Sequence, residues 1–320
     1  MSLPRVSVVT ETITARFDNT TGSLPDDLAT TLHALDRQTY PRELIERIVV
    51  LDAQVAADTA EELGRRYPEV RFVAAPATNY FAAKNAGIEA ATAQVVALLD
   101  SDCEPRPDWL ERLVAPFTDP AAGVSAVAGR TRYTGRSWAA RTFSVPDFAY
   151  IHTDERGEAS GFNINNVAFR RDAFLAHRFD ERIPRNGGCF FLYHHMRAAG
   201  ARIVYEPDAV VSHAVDVHGL GFVRKHFDRG HDGALIYLLD ERGVLRGTPL
   251  IRRFGALAFA ALTGRRVLVD WMRLARHRRQ MGIRAFTLPY FATVAVGTRL
   301  IELAGGLTGL AAGKASRQAR

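Results

Sequence analysis

The chain has 320 residues, of which 47% are hydrophobic and 24% charged, and its formal net charge is +6. This allows one large or two smaller domains with a sizeable core; there is no solenoid period or low-complexity repeat, and two cysteines exclude a disulfide or cysteine-metal framework and point to a reducing compartment. Residues 1–213 carry 23 Lys and Arg against 28 Asp and Glu, a balance of −5, while residues 214–320 carry 18 against 7, a balance of +11, so an anionic partner is expected for the C-terminal part.

The first residues, MSLPRVSVVTETIT, have one Arg, a polar-interrupted strand pattern and no cleavage site, and are not expected to form a signal peptide. RVSVV (5–9) reads as a buried strand. Residues 26–37 place Leu28, Leu32 and Leu35 at helical spacing behind acidic first-turn residues. A strand over 45–51 ends at Asp52, a helix follows over 56–67, and a third strand over 70–74. Residues 82–91 read as a small-residue helix and 95–99 as a fourth strand, after which Pro107 and Asp108 open a helix. This alternation predicts an α/β fold with a parallel sheet covered on both faces. Ligands of such sheets sit beyond the carboxyl ends of the strands, where Asp52 and Asp100 fall.

Beyond Gly123 the pattern changes. GVSAVAGRTRY reads as a strand, 136–161 as a polar irregular segment, 190–199 as a helix and 202–205 as a strand. From Gly221 onward helix signals dominate. No window reaches 18 uninterrupted apolar residues, and Arg299 and Glu302 interrupt the longest apolar run, so the late helices are expected to pack on protein or lie at a membrane interface rather than span one.

Asp100, Asp102, Glu104 and Asp108 crowd into nine positions after the fourth strand. Like charges that close repel, so a positive partner is required. In extended backbone Asp100 and Asp102 point the same way, and a hard cation, Mg2+ or Mn2+, would accept both carboxylates or one of them and bridge to a diphosphate.

The segment order resembles glycosyltransferase family 2, inverting enzymes of the GT-A nucleotide-sugar-binding fold. RVSVV, TLHALDRQTYPRELIERIVVLDA, NYFAAKNAGIEAATAQVVALLDSDCEPRPDWLERL, GFNINNVAFRRDAF and RIVYEPDAVVSH carry the resemblance over roughly residues 5–213. It implies a 1–215 catalytic domain, with a nucleotide-binding half to about 123 and an acceptor-side half beyond it, and a basic helical region over 216–320. It further implies that Thr10 and Glu11 adjoin the nucleotide, that Asp52 bonds the base, usually uracil, and that Lys84 and Asn85 fill the A-R-N position. Asp100 would meet ribose or metal across Ser101 from Asp102, a metal ligand. His213 would be a further ligand or a diphosphate contact, and Asn166, Arg170 and Arg171 would line the acceptor or phosphate side.

The chain departs from the family pattern at three places. The first loop reads Thr10-Glu11-Thr12-Ile13-Thr14 and delays the next helix, and only one acid, Asp52, ends the second strand. The Glu-Asp pair that supplies the family's general base is replaced by Gly188-Cys189. Asp180 and Glu181 are the first base candidates, followed by His194, His195, Asp147, Asp154 and Glu155. The resemblance thus implies a metal-dependent transferase moving a sugar from a nucleoside diphosphate, UDP above all, to a hydroxyl acceptor. The Q-x-x-R-W run of processive members is absent, so single additions are expected. The alternative is a GT-A-like protein without standard transfer, which binds a nucleotide sugar, serves as a partner subunit or runs another reaction on the same scaffold. The basic tail suits an anionic membrane surface or a homodimer interface; no nucleic-acid motif accompanies it. A cytoplasmic protein, peripheral at the inner face of the membrane, is expected.

Overall fold

The computed structural model describes residues 3–13, 24–55, 57–76, 79–134, 157–214, 219–279 and 283–318. β1 (Val6–Glu11) is buried along its whole length and pairs in parallel with β2 (Ile45–Leu51) and β4 (Val95–Leu98), while β3 (Arg71–Ala74) extends the sheet beyond β2. β8 (Val167–Arg170) runs antiparallel to β4, and β6 (Val124–Thr134) antiparallel to β8. β9 (Arg202–Ala214) then pairs in parallel with β6 and antiparallel with the short β5 (Cys103–Pro105) and β7 (Gly157–Glu158). The strand order is β3-β2-β1-β4-β8-β6-β9-β5, with β7 on β9.

Successive strand residues face opposite sides, and both sides are apolar. Val8 joins a core with Leu28, Leu32 and Leu35 of α1 (Leu24–Asp36), Leu63 of α2 (Ala57–Arg66) and Trp109 and Leu113 of α4 (Trp109–Val114). Val9 joins the opposite core with Phe81 and Ile88 of α3 (Tyr80–Ala90) and Leu192 and Met196 of α6 (Gly188–Ala198). α3 lies unusually close to the sheet: a Cβ on its Gly87 would meet Val9 Cγ1 at 2.3 Å and Val50 Cγ2 at 2.8 Å. The short α5 (Arg171–Leu175) follows β8.

The C-terminal residues form α7 (Gly219–Leu239), α8 (Thr248–Phe254), α9 (Ala256–His277) and α10 (Leu288–Gln318). Glycines let α7 and α10 touch backbone to backbone. A Cβ on Gly230 would lie 1.9 Å from the Glu302 carbonyl oxygen, and one on Gly305 1.9 Å from that of Phe227. Residues 285–313 are long and apolar enough to cross a membrane by length and composition. The charges within this stretch are nevertheless bound to neighbouring helices. Arg299 holds Asp270 of α9 bidentately at 2.7 and 3.2 Å and also pairs with Glu302, while Glu302 meets His226 of α7 at 3.1 Å. A mixed sheet flanked by helices, followed by a helical C-terminal region, is the architecture the resemblance implies. The expected strand over 202–205 continues to Ala214, and β5 and β8 add to the sequence reading. Asp147, Asp154, Glu155 and most of 136–161 lie outside the described residues.

Candidate active site

The carboxyl ends of β1, β2 and β4 gather the acids. Glu11 is fully buried, and Asp52 and Asp100 are each 5% exposed. The positive partner is Lys84, also fully buried, because the close approach of α3 brings its stem beneath the loop after β4. Its Nζ lies 2.6 Å from Asp100 Oδ1 and 3.8 Å from Glu11 Oε1, and donates to the Leu99 carbonyl at 3.4 Å. Burial alone would depress the Lys84 ammonium, but Asp100 and Glu11 outweigh it and hold its pKa above the ordinary value. One turn earlier the Tyr80 hydroxyl donates to the Asp100 carboxylate at 3.1 and 3.2 Å. Burial, then the charges of Asp100 and Glu11, push the Tyr80 phenol well up, so it stays a donor.

Asp102 belongs to a second pair. Its Oδ2 is 2.9 Å from His213 Nε2, near the end of β9, because β5 and β9 set Cys103 opposite His213. His213 Nδ1 is held by Asn165 Nδ2 at 3.2 Å, and Asn165 Oδ1 accepts from the Thr131 hydroxyl at 2.9 Å. Burial would raise the Asp102 carboxyl, but His213, with Lys225 of α7 behind it, keeps it below its usual range and ionised. Ligand atoms of Asp102, Cys103 and His213 lie within 4.8 Å of one another. Cys103 is a poor member of that set, because burial and then Asp102 push its thiol well up and keep it protonated. The remaining oxygen and nitrogen donors fit Mg2+ or Mn2+, and the Asn165 contact fixes the plane of the imidazole.

Other predicted residues take separate places. Thr10 is buried at the end of β1, and the backbone N–H of Asp52 donates to Thr12 Oγ1 at 2.9 Å. The Ser101 carbonyl accepts from the Thr31 hydroxyl at 2.7 Å, fixing the loop between the two aspartates. Asn85 clasps the segment after α5: its amide donates to the Phe179 carbonyl at 3.0 Å and to Glu181 Oε1 at 2.9 Å. Asp180 is held by Arg182 at 2.7 Å. Among the described residues no hydrogen bond or ion pair joins Asp180 or Glu181 to Asp100, Asp102 or His213. His195 faces Asp240 at 3.3 Å.

Three acceptor-side expectations are corrected. Arg170 pairs in register with Val95, at the start of β4, because β8 runs antiparallel; it therefore sits at the opposite end of the sheet from Asp100. Arg170 is bound to Asp172, and Arg171 donates to the Ile88 and Glu89 carbonyls at 3.2 and 2.8 Å. Asn166 is fully buried, accepting from Trp109 Nε1 at 2.8 Å and donating to the Ala209 carbonyl at 2.9 Å. It braces the core while its neighbour Asn165 reaches His213. Sequence reasoning missed Tyr80, Asn165 and Lys225. Tyr80 was legible as the residue one helical turn before Lys84, and Asn165 as the other member of an Asn-Asn pair.

The general-base position is filled structurally. Gly187 adopts φ +86° and opens α6, and a Cβ on Gly188 would meet the Phe81 ring at 2.2 Å. No larger side chain fits at 188 without displacing Phe81. Cys189 is half-buried, and its charge would bear on the Tyr80 hydroxyl.

Residues 20–179, half of the chain, match the domain described as Glycosyl transferase family 2. The glycosyltransferase AglE of Haloferax volcanii is 25% identical over 244 residues, covering 73% of this chain and 75% of that protein. The succinoglycan biosynthesis protein ExoM of Rhizobium meliloti is 30% identical over 199 residues, covering 59% of this chain and 63% of that protein, which is short of two thirds of its length. In three dimensions the chain is similar to the mannosyltransferase PcManGT from Pyrobaculum calidifontis, solved in complex with GDP-Man and Mn2+. The TM-score is 0.60 at 18% identity, over 97% of this chain and 88% of that one.

Proposed function

Because the chain belongs to glycosyltransferase family 2 it is a glycosyl-transferring enzyme, and we propose that its donor is a nucleoside diphosphate sugar, UDP-linked, and that it makes single additions to a hydroxyl acceptor. The observation that carries this reading is the Asp102–His213 pair beside the Asp100–Lys84–Tyr80 group at the carboxyl end of the sheet. The structural neighbour solved with GDP-Man and Mn2+ supports a nucleoside diphosphate sugar and a cation, and the choice of UDP rests on the sequence resemblance alone.

Asp102 and His213 would hold Mg2+ or Mn2+, which, when bound, supplies positive charge to a leaving diphosphate. Lys84 holds the Asp100 carboxylate at 2.6 Å and lies 3.8 Å from Glu11, so Asp100 is oriented before a ribose or metal meets it. Asp52, at the end of β2, is the candidate partner of the base. Of the two carboxylates offered as general base, Asp180 is taken up by Arg182. Glu181 is exposed, accepts a hydrogen bond from Asn85, and is the one we assign to the acceptor proton.

Calorimetry of UDP and GDP, each with Mn2+ and with EDTA, tests the reading. UDP is expected to bind at least about tenfold more tightly with Mn2+, and Asp102→Ala to abolish the difference. Equal affinity in EDTA would remove the cation from the account, and preferential binding of GDP would replace the donor.

A further inference from the structure

The turn 186–190 separates two different surroundings. A Cβ on Gly188 would strike Phe81 of α3, whereas one on Gly187 would approach Ile236 of α7 at 3.4 Å. On the α7 side lies a cavity of about 300 Å3, bounded by that turn, α7 and α9. Arg229 of α7 and Arg265, Arg266 and Arg273 of α9 line it, with Arg299 of α10 at its wall. Two carboxylates, Asp270 and Glu302, also line it, and both are bound to Arg299. Arg299 is bound to both acids and Arg229 bears on Glu302, whereas neither acid forms an ion pair with Arg265 or Arg266. The Arg266 guanidinium instead donates to the Tyr237 hydroxyl at 3.4 Å.

Arg265 and Arg266, adjacent cations on the cavity lining without a carboxylate of that lining paired to them, favour an anion between them, and the planar fork of a guanidinium matches the oxygens of a phosphate. The cavity also has a relation to the chemistry. Lys225, which bears on Asp102, and Arg229, which lines the cavity, are one turn apart on α7. Asn186 at the cavity wall immediately precedes the turn, and its backbone N–H and side chain both donate to Asp232 of α7, at 2.9 and 2.8 Å. On α9 the exposed Leu257, Leu268 and Met272 share one stripe, and Arg265 borders it, roughly 60° further round the helix than Leu268.

We propose that this cavity is an anion subsite that takes a phosphate group carried by the acceptor. That the anion belongs to an acceptor rests on the transferase reading; the anion site itself does not. The shared chemistry is a phosphate monoester, carried either by a soluble molecule or by a lipid whose chains lie along the α9 stripe.

The full chain, in EDTA and without nucleotide, is titrated with hexyl phosphate by calorimetry. Saturable binding is expected, weakened about tenfold or more in Arg265→Gln/Arg266→Gln and unchanged in Asp102→Ala. UDP binding with Mn2+ should persist in the arginine variant, which also shows that it is folded. No binding, equal affinity in the wild type and the arginine variant, or displacement of hexyl phosphate by UDP with Mn2+ would overturn the proposal. If UDP fails to bind under any condition while arginine-dependent binding of hexyl phosphate persists, the donor reading falls and the anion site stands. Phosphatidylcholine vesicles with and without phosphatidic acid separate the two sources. Arginine-dependent capture only by the phosphatidic-acid vesicles, stronger than binding of hexyl phosphate, assigns the phosphate to a lipid; binding of hexyl phosphate without vesicle capture assigns it to a soluble acceptor.

Discussion

Lys84 stands where the family sets an arginine, and its burial explains how the change is accommodated. An ammonium is a compact charge that fits beneath Asp100 and beside Glu11, where a planar fork would need more room. With Phe81 against Gly188 and a thiol at 189, the acceptor proton must go elsewhere. Glu181→Gln is expected to lower kcat at least about a hundredfold with donor KM unchanged, and Cys189→Ala to stay within a fewfold of wild type, because a thiol of pKa about 8.5 is mostly protonated at neutral pH. The reverse ranking in steady-state kinetics would move the base to Cys189. Much of the site was legible: the D-x-D at a strand end, the matched lysine and the matched histidine converge in space. Asn166 and Arg170 were misplaced for definable reasons. Alternation along the chain turns Asn165 rather than Asn166 toward His213, and an antiparallel β8 carries its last residue away from the site.

Among the elements, hydrophobic period identified the helices by the spacing of their apolar residues, and β1, β2 and β4 because they are largely buried and read as apolar runs. β5 has three residues and β7 two, too short for any period to register, and β8 lies within a polar-looking segment whose apolar core is only Val167, Ala168 and Phe169. The glycines of the C-terminal helices carried information that composition alone could not rank. Gly305 touches the backbone of α7, whereas a Cβ on Gly264 of α9 would meet nothing within 4 Å. Gly305→Val should therefore force α7 and α10 apart and cost about 3 kcal/mol or more. Gly264→Ala should be neutral or stabilising by up to about 1 kcal/mol, since it restricts the unfolded chain without a clash. Urea unfolding of the two variants checks the contrast; equal effects would mean that the helices are not held at this crossing.

For the molecule as a whole, the charge division seen in the sequence has a structural counterpart. Among the described residues, ten of thirteen exposed large hydrophobic side chains lie between Leu250 and Leu307, in the same region as the positive excess. Exposed apolar and basic groups in one region of the chain suit anionic lipid, each basic residue contributing roughly 1 kcal/mol within a Debye length of about 8 Å. Sedimentation with phosphatidylserine vesicles is expected to be salt-sensitive and to weaken when Leu257, Leu268 and Met272 are changed to serine. Unchanged sedimentation, or a dimer that these changes dissociate, would assign the surface to protein contact. The buried charges behind it govern acid stability. Burial would raise Glu302, but Arg299 and then the His226 hydrogen bond bring it down from 4.5 to about 2. A depressed carboxyl stabilises the fold above its unfolded pKa, and that contribution is lost as the pH falls from about 4.5 towards 2. Glu302→Gln should cost about 3 kcal/mol at pH 7, with the gap from wild type narrowing through that window. A gap independent of pH would detach Glu302 from the acid response.

The two hydrogen bonds from Asn186 to Asp232 have a bearing on how such enzymes can be recombined. They pin the turn before α6 to a helix that lies beyond residue 215, on the far side of the boundary at which a catalytic core would naturally be cut. A chimera that joins residues 1–213 to the tail of a relative inherits a free Asn186 and no cation behind Asp102 unless the donor tail brings its own counterparts of Asp232 and Lys225. An exchanged tail is expected to be tolerated best where its first helix offers Asn186 a counterpart of Asp232.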